Sequence, residues 1–254
     1  MTSLPSSAGV IPASSQIMAR RRSSGRVNRN PFKPRKDQPR PKYTVGGAGR
    51  QRDLSCFQTN PKPLDQNLIP LLPVDPSSSK LQFTLAAHPS LAVYIPQTSA
   101  KTVEFVLVQK DGEVVYQTIQ QLPQTPAIVQ VTLPQAAPAL RVGEDYEGYI
   151  TLICKGTESQ PDDPFAELSI RRIEPDAVLA NQLKQATGLD RVRLYGESGI
   201  WYDMVSTLMT LRQDEPRNTN ATELWNALLQ FNGLADLKDI PLSQPLPPSK
   251  PLPN

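Results

Sequence analysis

The chain has 254 residues, of which 38% are hydrophobic and 27 are prolines, and its formal net charge is +3. That length admits one large domain or two modest ones, and so much proline with so small an apolar share means that part of the chain builds no core. Two cysteines and one histidine nearly exclude a zinc centre, which needs three or four soft or borderline ligands, and no apolar run approaches the ~20 residues of a membrane helix.

Residues 1–60 are rich in Ser, Pro, Arg, Lys and Gly and carry no apolar period, so disorder is expected there. Twelve Lys or Arg fall between positions 20 and 52 against Asp37 alone, which leaves the rest of the chain acidic. This arm, with Arg20, Arg21, Arg22, Arg26, Arg29, Arg35 and Lys36 at its centre, is a candidate for holding nucleic acid or another anionic surface by counterion release. Phe32 and Tyr43 are its only aromatics, which gives base stacking little to work with, and a solvated linker is the plainer reading. Gly46 to Arg52 lacks the Gly-Lys-Ser/Thr ending of a phosphate loop. A secretory signal puts its charges before its apolar run; here Val10–Met18 precedes Arg20–Arg22, so no signal is expected.

From about residue 67 short apolar runs alternate with Pro and Gly. Leu68–Leu72, Leu81–Leu85, Leu91–Ile95, Val103–Val108, Val114–Ile119, Ile128–Leu133, Tyr146–Cys154 and Phe165–Ile173 read as strands, rich in β-branched and aromatic residues. Asp111-Gly112 between two of them supplies the positive φ of a tight hairpin. Strands at this spacing without intervening helices predict an immunoglobulin-like β-sandwich over residues 65–173.

At Pro175-Asp176 the period changes to about 3.6, and a four-helix unit is predicted over 174–238. Leu179, Leu183 and Ala186 share one face of the first helix, which Gly188 is expected to end. Trp201, Met204, Val205, Leu208 and Leu211 do the same in the third. Asn220, with Glu223 as its capping partner, is expected to start the fourth. Tyr195, Gly199, Leu208, Leu211 and Pro216 follow the spacing of a tetratricopeptide repeat, and the unit resembles one copy of it, although Met204 and Leu211 stand where that repeat prefers alanine. One copy leaves a face open, which must be buried on the β-domain or on a partner. The overall expectation is an α+β chain. The proline-rich residues 239–254 are expected to be a disordered, extended tail.

Candidate chemistry is sparse. Cys56 and Cys154 either form a disulfide that ties the N-terminal segment to the strand domain or remain two reduced thiols. His88 with Cys154 as base and nucleophile lacks anything to fix the geometry, and no Gly-x-Ser-x-Gly elbow is present; a hydrolase is therefore a remote alternative. Asp162-Asp163 reads as a solvated turn. Tyr195, Trp201 and Trp225 could line an interaction surface, but their helical spacing favours the core. No catalytic residue, metal site or cofactor is expected.

His88-Pro89, Val93-Tyr94-Ile95-Pro96, Gly143-x-x-Tyr146, Leu152-Ile153-Cys154 and Gly199-Ile200-Trp201-Tyr202-Asp203 occur in that order. Together they resemble a cyanobacterial family catalogued as a domain of unknown function, number 928, over roughly Gly46 to Leu237, with Tyr195–Asp203 the most specific piece. The resemblance implies no catalytic residue and no cofactor. It implies an extracytoplasmic setting, periplasmic or secreted, with a cytoplasmic one as the alternative that the missing signal leaves open. The resulting expectation is a non-enzymatic, exported or envelope-associated interaction or structural module whose partner is another protein.

Overall fold

A computed structural model describes residues 30–35, 37–38, 55–57, 67–73, 81–244 and 246. The chain is α+β. Eight strands come first: β1 (Ile69–Pro70), β2 (Leu81–Thr84), β3 (Ser90–Ile95), β4 (Thr102–Gln109), β5 (Val114–Gln121), β6 (Ala127–Thr132), β7 (Asp145–Ile153) and β8 (Phe165–Arg172). Four helices follow: α1 (Ala177–Gln185), α2 (Gly188–Glu197), α3 (Trp201–Asp214) and α4 (Thr219–Phe231). The strands form a three-stranded sheet, β1-β3-β6, and a five-stranded sheet, β2-β8-β7-β4-β5. All pairs are antiparallel except β2 with β8.

In the larger sheet the alternation expected of one-sided burial is clear. Val103, Phe105 and Leu107 of β4 point inward, as do Tyr146, Gly148, Ile150 and Leu152 of β7, while the residues between them are mostly half-buried. The smaller sheet differs: Leu91 to Ile95 and Ala127 to Val131 are buried without a break. Both of its faces are covered. On one side Leu91 sits over Gly148, whose missing Cβ would lie 3.5 Å from the Leu91 Cδ1. On the other, Ser90 and Gln130 face Ser206, Thr207 and Thr210 of α3 across a gap of about 330 Å³. The helices pack on the smaller sheet and, through α3, also on β2 and β8 at one side of the larger sheet. The continuous apolar run of β3, and that of β6 broken by Gln130 alone before Thr132, are the sequence trace of this burial on both faces.

Local signals account for most boundaries. Gly112 has φ +93°, and the β4–β5 hairpin closes through its N–H donating to the Gln109 carbonyl at 2.8 Å. Asp176 caps α1, accepting from the Leu179 N–H at 2.8 Å. Tyr146 anchors the approach to β7, its hydroxyl accepting from the Arg141 N–H at 2.9 Å.

Several expectations need correction. The cap of α4 is Asn218, whose side chain accepts from the Ala221 N–H at 3.0 Å, not Asn220. Gly188 does not end α1, which stops at Gln185 with Ala186 as its C-cap; with φ +50° Gly188 instead opens α2. Asp163 is no solvated turn residue but is buried, accepting from the N–H groups of Gln160 at 2.8 Å and Cys154 at 3.3 Å. Within the stretch expected to be disordered, Phe32, Cys56 and Phe57 are core residues, because each finds apolar surface in a distant part of the fold. Within the tail, Pro241 to Gln244 and Leu246 lie beside β6. Ile128 N–H donates to the Pro241 carbonyl and Ser243 N–H to the Ile128 carbonyl, both at 2.9 Å, and Leu246 N–H donates to the Gln130 carbonyl at 3.1 Å. These bonds give the open edge of the smaller sheet a backbone partner, which a free tail would have left unsatisfied.

Candidate functional site

The α2–α3 junction, Tyr195 to Asp203, is where most parts of the chain meet. Leu194 and Tyr195 carbonyls close α2 by accepting from Ser198 and Ile200, and Gly199 turns the chain at φ +70°, a conformation that favours glycine. Three consecutive side chains then reach three different strand-domain segments. The Trp201 indole N–H donates to the Leu71 carbonyl at 2.8 Å. The Tyr202 hydroxyl donates to the Ser169 carbonyl at 2.9 Å. The Asp203 carboxylate accepts from the Thr84 hydroxyl at 2.7 Å and from the Leu85 N–H at 3.0 Å.

The electrostatics follow from this enclosure. Burial pushes the Tyr202 hydroxyl well above its ordinary range. Burial also raises Asp203, against the opposing pull of the Thr84 and Leu85 donors and, more weakly, of Arg191. Tyr195 is raised first by burial and then by the Asp203 charge, with Arg191 opposing.

A segment from before the strand domain lies over this junction. The Lys33 N–H donates to the Gly196 carbonyl at 2.9 Å. Phe32 meets Trp201 edge-on with ring centroids 4.7 Å apart. Arg35 lies 5.5 Å above the Phe83 ring and donates to the Asp37 carboxylate at 2.8 and 2.9 Å. That pairing with Asp37 raises Arg35 and lowers Asp37. Gln38 donates to the Leu81 carbonyl at 2.6 Å.

Tyr195, Trp201 and Trp225 do not form an open surface. They are 9%, 1% and 0% exposed, because Tyr195 of α2, Trp201 of α3 and Trp225 of α4 all belong to the core shared by helices and strands. Trp225 instead carries the Arg212 guanidinium over its ring at 5.2 Å. Of the candidate anion-binding arm, Arg20, Arg21, Arg22, Arg26, Arg29 and Lys36 lie outside the described residues, and Arg35 is engaged as above. The Gly46–Arg52 run and Pro247, Pro248, Pro251 and Pro253 also lie outside them.

Cys56 and Cys154 are joined by a disulfide across a sequence separation of 98. The Cys56 carbonyl accepts from the Ser99 N–H and the Thr98 hydroxyl, both at 2.8 Å, so this end of the bridge is held by more than sulfur. A bonded Cys154 is no nucleophile for His88, whose Nε2 lies instead 3.0 Å from the Ala137 carbonyl. Among the described residues no group of three His, Cys, Asp or Glu is placed to hold a metal ion, and no helix is long and apolar enough to cross a membrane. A cleft of about 700 Å³ lies between the β5–β6 loop and the chain at Pro241–Leu246, lined mainly by Leu122, Pro123, Pro126, Leu242 and Leu246 with backbone and amide groups.

Sequence reasoning found the Tyr195–Asp203 run but not its partners Phe32, Leu71 and Thr84. Two faint signals existed: Phe32 is an isolated aromatic among prolines and cations, and Gly196 and Gly199 are two small residues three apart. The model of a protein family described as Domain of Unknown Function (DUF928) matches residues 45–242. No curated protein matches the chain.

Proposed function

Because the chain belongs to the DUF928 family, whose description names no activity, we propose from its geometry a non-enzymatic, exported or envelope-associated interaction and structural module. In this reading an immunoglobulin-like sandwich carries a tetratricopeptide-like helical layer. Two features support the sandwich: two sheets whose pairs are antiparallel apart from β2 with β8, and the Tyr146 hydroxyl bonded back to the Arg141 backbone as in a tyrosine corner. The helical layer meets the requirement of a single repeat by closing its open face on β2 and β3.

The observation that carries the functional reading is the role of the Trp201-Tyr202-Asp203 polar groups. All three bond to strand-domain groups far away in sequence. They hold layers together and are not presented to a substrate. The export part rests on the Cys56–Cys154 disulfide, since such bonds persist in oxidising compartments. The outward surface offered to a protein partner is the helical layer, where Val178 and Phe231 are exposed by 67% and 41%.

The test is made in the native cells. Thiols are trapped by alkylation during fractionation, and a photo-cross-linking residue is placed at Val178 or Phe231. A bonded Cys56–Cys154 pair outside the cytosol, with one defined cross-linked protein, is the expected result. Reduced cysteines in the cytosol overturn the export reading, and the absence of any cross-link at both positions overturns the helical docking face. The charge segregation of residues 20–52 favours a second reading, an anionic or nucleic-acid surface bound through the arm. It predicts salt-dependent binding that disappears when the arm is deleted.

A further inference from the structure

The groove at the α2–α3 junction is built around an extended peptide. Its floor is Gly196 and Gly199. A Cβ at Gly196 would lie 2.4 Å from the Pro31 carbonyl oxygen, and one at Gly199 would lie 2.5 Å from the Arg35 Cγ and 2.9 Å from the Lys33 carbonyl oxygen. Gly199 is also required by its φ of +70°, but Gly196 is in ordinary helical conformation. Its own turn would accept alanine or most other residues. A Cβ there would also come within 3.0 Å of the Met204 Sδ, but the flexible end of that side chain can give way. The Pro31 backbone at 2.4 Å cannot without moving the segment, so the absence of a side chain at Gly196 serves chiefly the segment that lies over it.

The segment has the features of a recognised ligand and few of a core strand. One backbone bond, Lys33 N–H to the Gly196 carbonyl, sets its register. One aromatic anchor, Phe32, is 3% exposed and packs on the edge of Trp201. Pro31 and Pro34 flank these contacts and favour the extended form before docking, which lowers the ordering entropy. The basic residues lie on the acidic side of the groove: Glu197 lines the same depression as Lys33 and Arg35, and the Asp176 charge acts on Arg35. An anchor side chain, a backbone bond and a flanking charge are the usual division of labour in peptide recognition. The segment also lies before residue 45, where the family match begins, whereas the groove lies wholly inside that match.

We propose that the α2–α3 groove is a recognition site for an extended Pro-Phe-basic-Pro-Arg segment, with residues 31–35 as its resident, exchangeable occupant. The inference rests on the interaction-module reading and specifies the chemistry of the partner: a chain segment presenting phenylalanine between prolines, followed by a cation. In the free protein the tethered segment competes at an effective concentration on the order of millimolar, so a partner segment must arrive at comparable local concentration or in a context that binds better.

The probe is a labelled peptide with the sequence of residues 29–39, added to the full chain. Phe32→Ala in the chain removes the anchor of the resident segment and leaves the groove intact. The peptide is expected to bind this variant at least tenfold more tightly than the wild type, to lose that binding when its own phenylalanine is replaced by alanine, and to lose it again in the Phe32→Ala, Gly196→Ala chain. No binding to a folded Phe32→Ala chain, or equal binding to both chains, overturns the proposal. Should Phe32→Ala not fold, a protease site within residues 46–49 of the otherwise wild-type chain replaces it. After cleavage, excess peptide should release the N-terminal fragment on gel filtration, and a fragment that hundredfold excess never displaces overturns the proposal. Either failure leaves the cross-links at Val178 and Phe231 unaffected, so the broader reading is tested separately.

Discussion

The indole N–H of Trp201 donates to the carbonyl of Leu71 at 2.8 Å, across 130 residues of sequence. Leu71 in turn donates its N–H to Ala92 of β3 at 2.9 Å. One side chain at the start of α3 thereby fixes the segment that follows β1, and helices and strands share one buried hydrophobic core. Trp201→Phe should leave the buried Leu71 carbonyl without this donor and cost about 1–3 kcal/mol. Trp201→Ala should cost about 3–5 kcal/mol. Urea unfolding followed by far-UV circular dichroism and by Trp225 fluorescence should give one coincident transition. Two separated transitions would show that the helical layer and the sheets unfold independently.

Asp203 links pH to stability. Its buried carboxyl is raised above its ordinary value, so the folded protein holds this proton to higher pH than the unfolded chain does. Stability must then fall as pH rises from about 3.9, the unfolded value, through the raised value. Asp203→Asn keeps an acceptor for Thr84 and Leu85 and should remove this slope. Asp203→Ala leaves both donors unpaired and should cost about 1–3 kcal/mol at low pH, with the difference from the wild type shrinking as pH rises through the raised value. Denaturant midpoints from pH 3 to 8 check this, and parallel wild-type and Asn profiles would refute it.

Gly148 tests the stacking of the two sheets. An added Cβ would sit 3.5 Å from both Leu91 Cδ1 and Phe105 Cε2, an ordinary contact distance. Gly148→Ala should therefore change stability by less than about 1 kcal/mol. Gly148→Leu has no room between the layers and should destabilise by about 1–3 kcal/mol or more. Thermal melts of the two variants should differ accordingly; a tolerated leucine would mean that the sheets are not in contact at this point.

Removing the disulfide should weaken the fold without altering the strand pairings. The bridge closes a separation of 98 residues, for which the chain-entropy model gives up to about 4–5 kcal/mol. The double variant Cys56→Ser, Cys154→Ser should lose a large part of that in urea unfolding, and reductant should affect the wild type alone. An unchanged midpoint would mean that the unfolded chain is already restrained in this loop.

The strands and helices were largely legible because their signals are local. Val103, Phe105 and Leu107 alternate in sequence as they do in space, and Asp176 caps α1 from three residues away. Errors came where two local candidates competed. Asn218 and Asn220 are both good caps, and only the path of the chain leaving α3 selects Asn218. The continuous burial of Leu91 to Ile95 was visible as an apolar run, but which elements cover each face was not. Of the candidate site, Tyr195 to Asp203 stood out by its residues, while Phe32, Leu71 and Thr84 did not.

By itself, the sequence determined the α+β order of elements and most of their boundaries to within a few residues, since periodicity, caps and turns act over one or two helical turns of chain. Only the tertiary structure decided that Phe32 leaves the basic arm to meet Trp201, that Pro241, Ser243 and Leu246 bond to the edge of β6, and that Asp203 is buried against Thr84. Each of these depends on fit between surfaces that do not exist until the layers have packed. Burial, hydrogen-bond closure and the shift of a carboxyl's pKa are properties of that assembled environment, and no spacing along the chain encodes them.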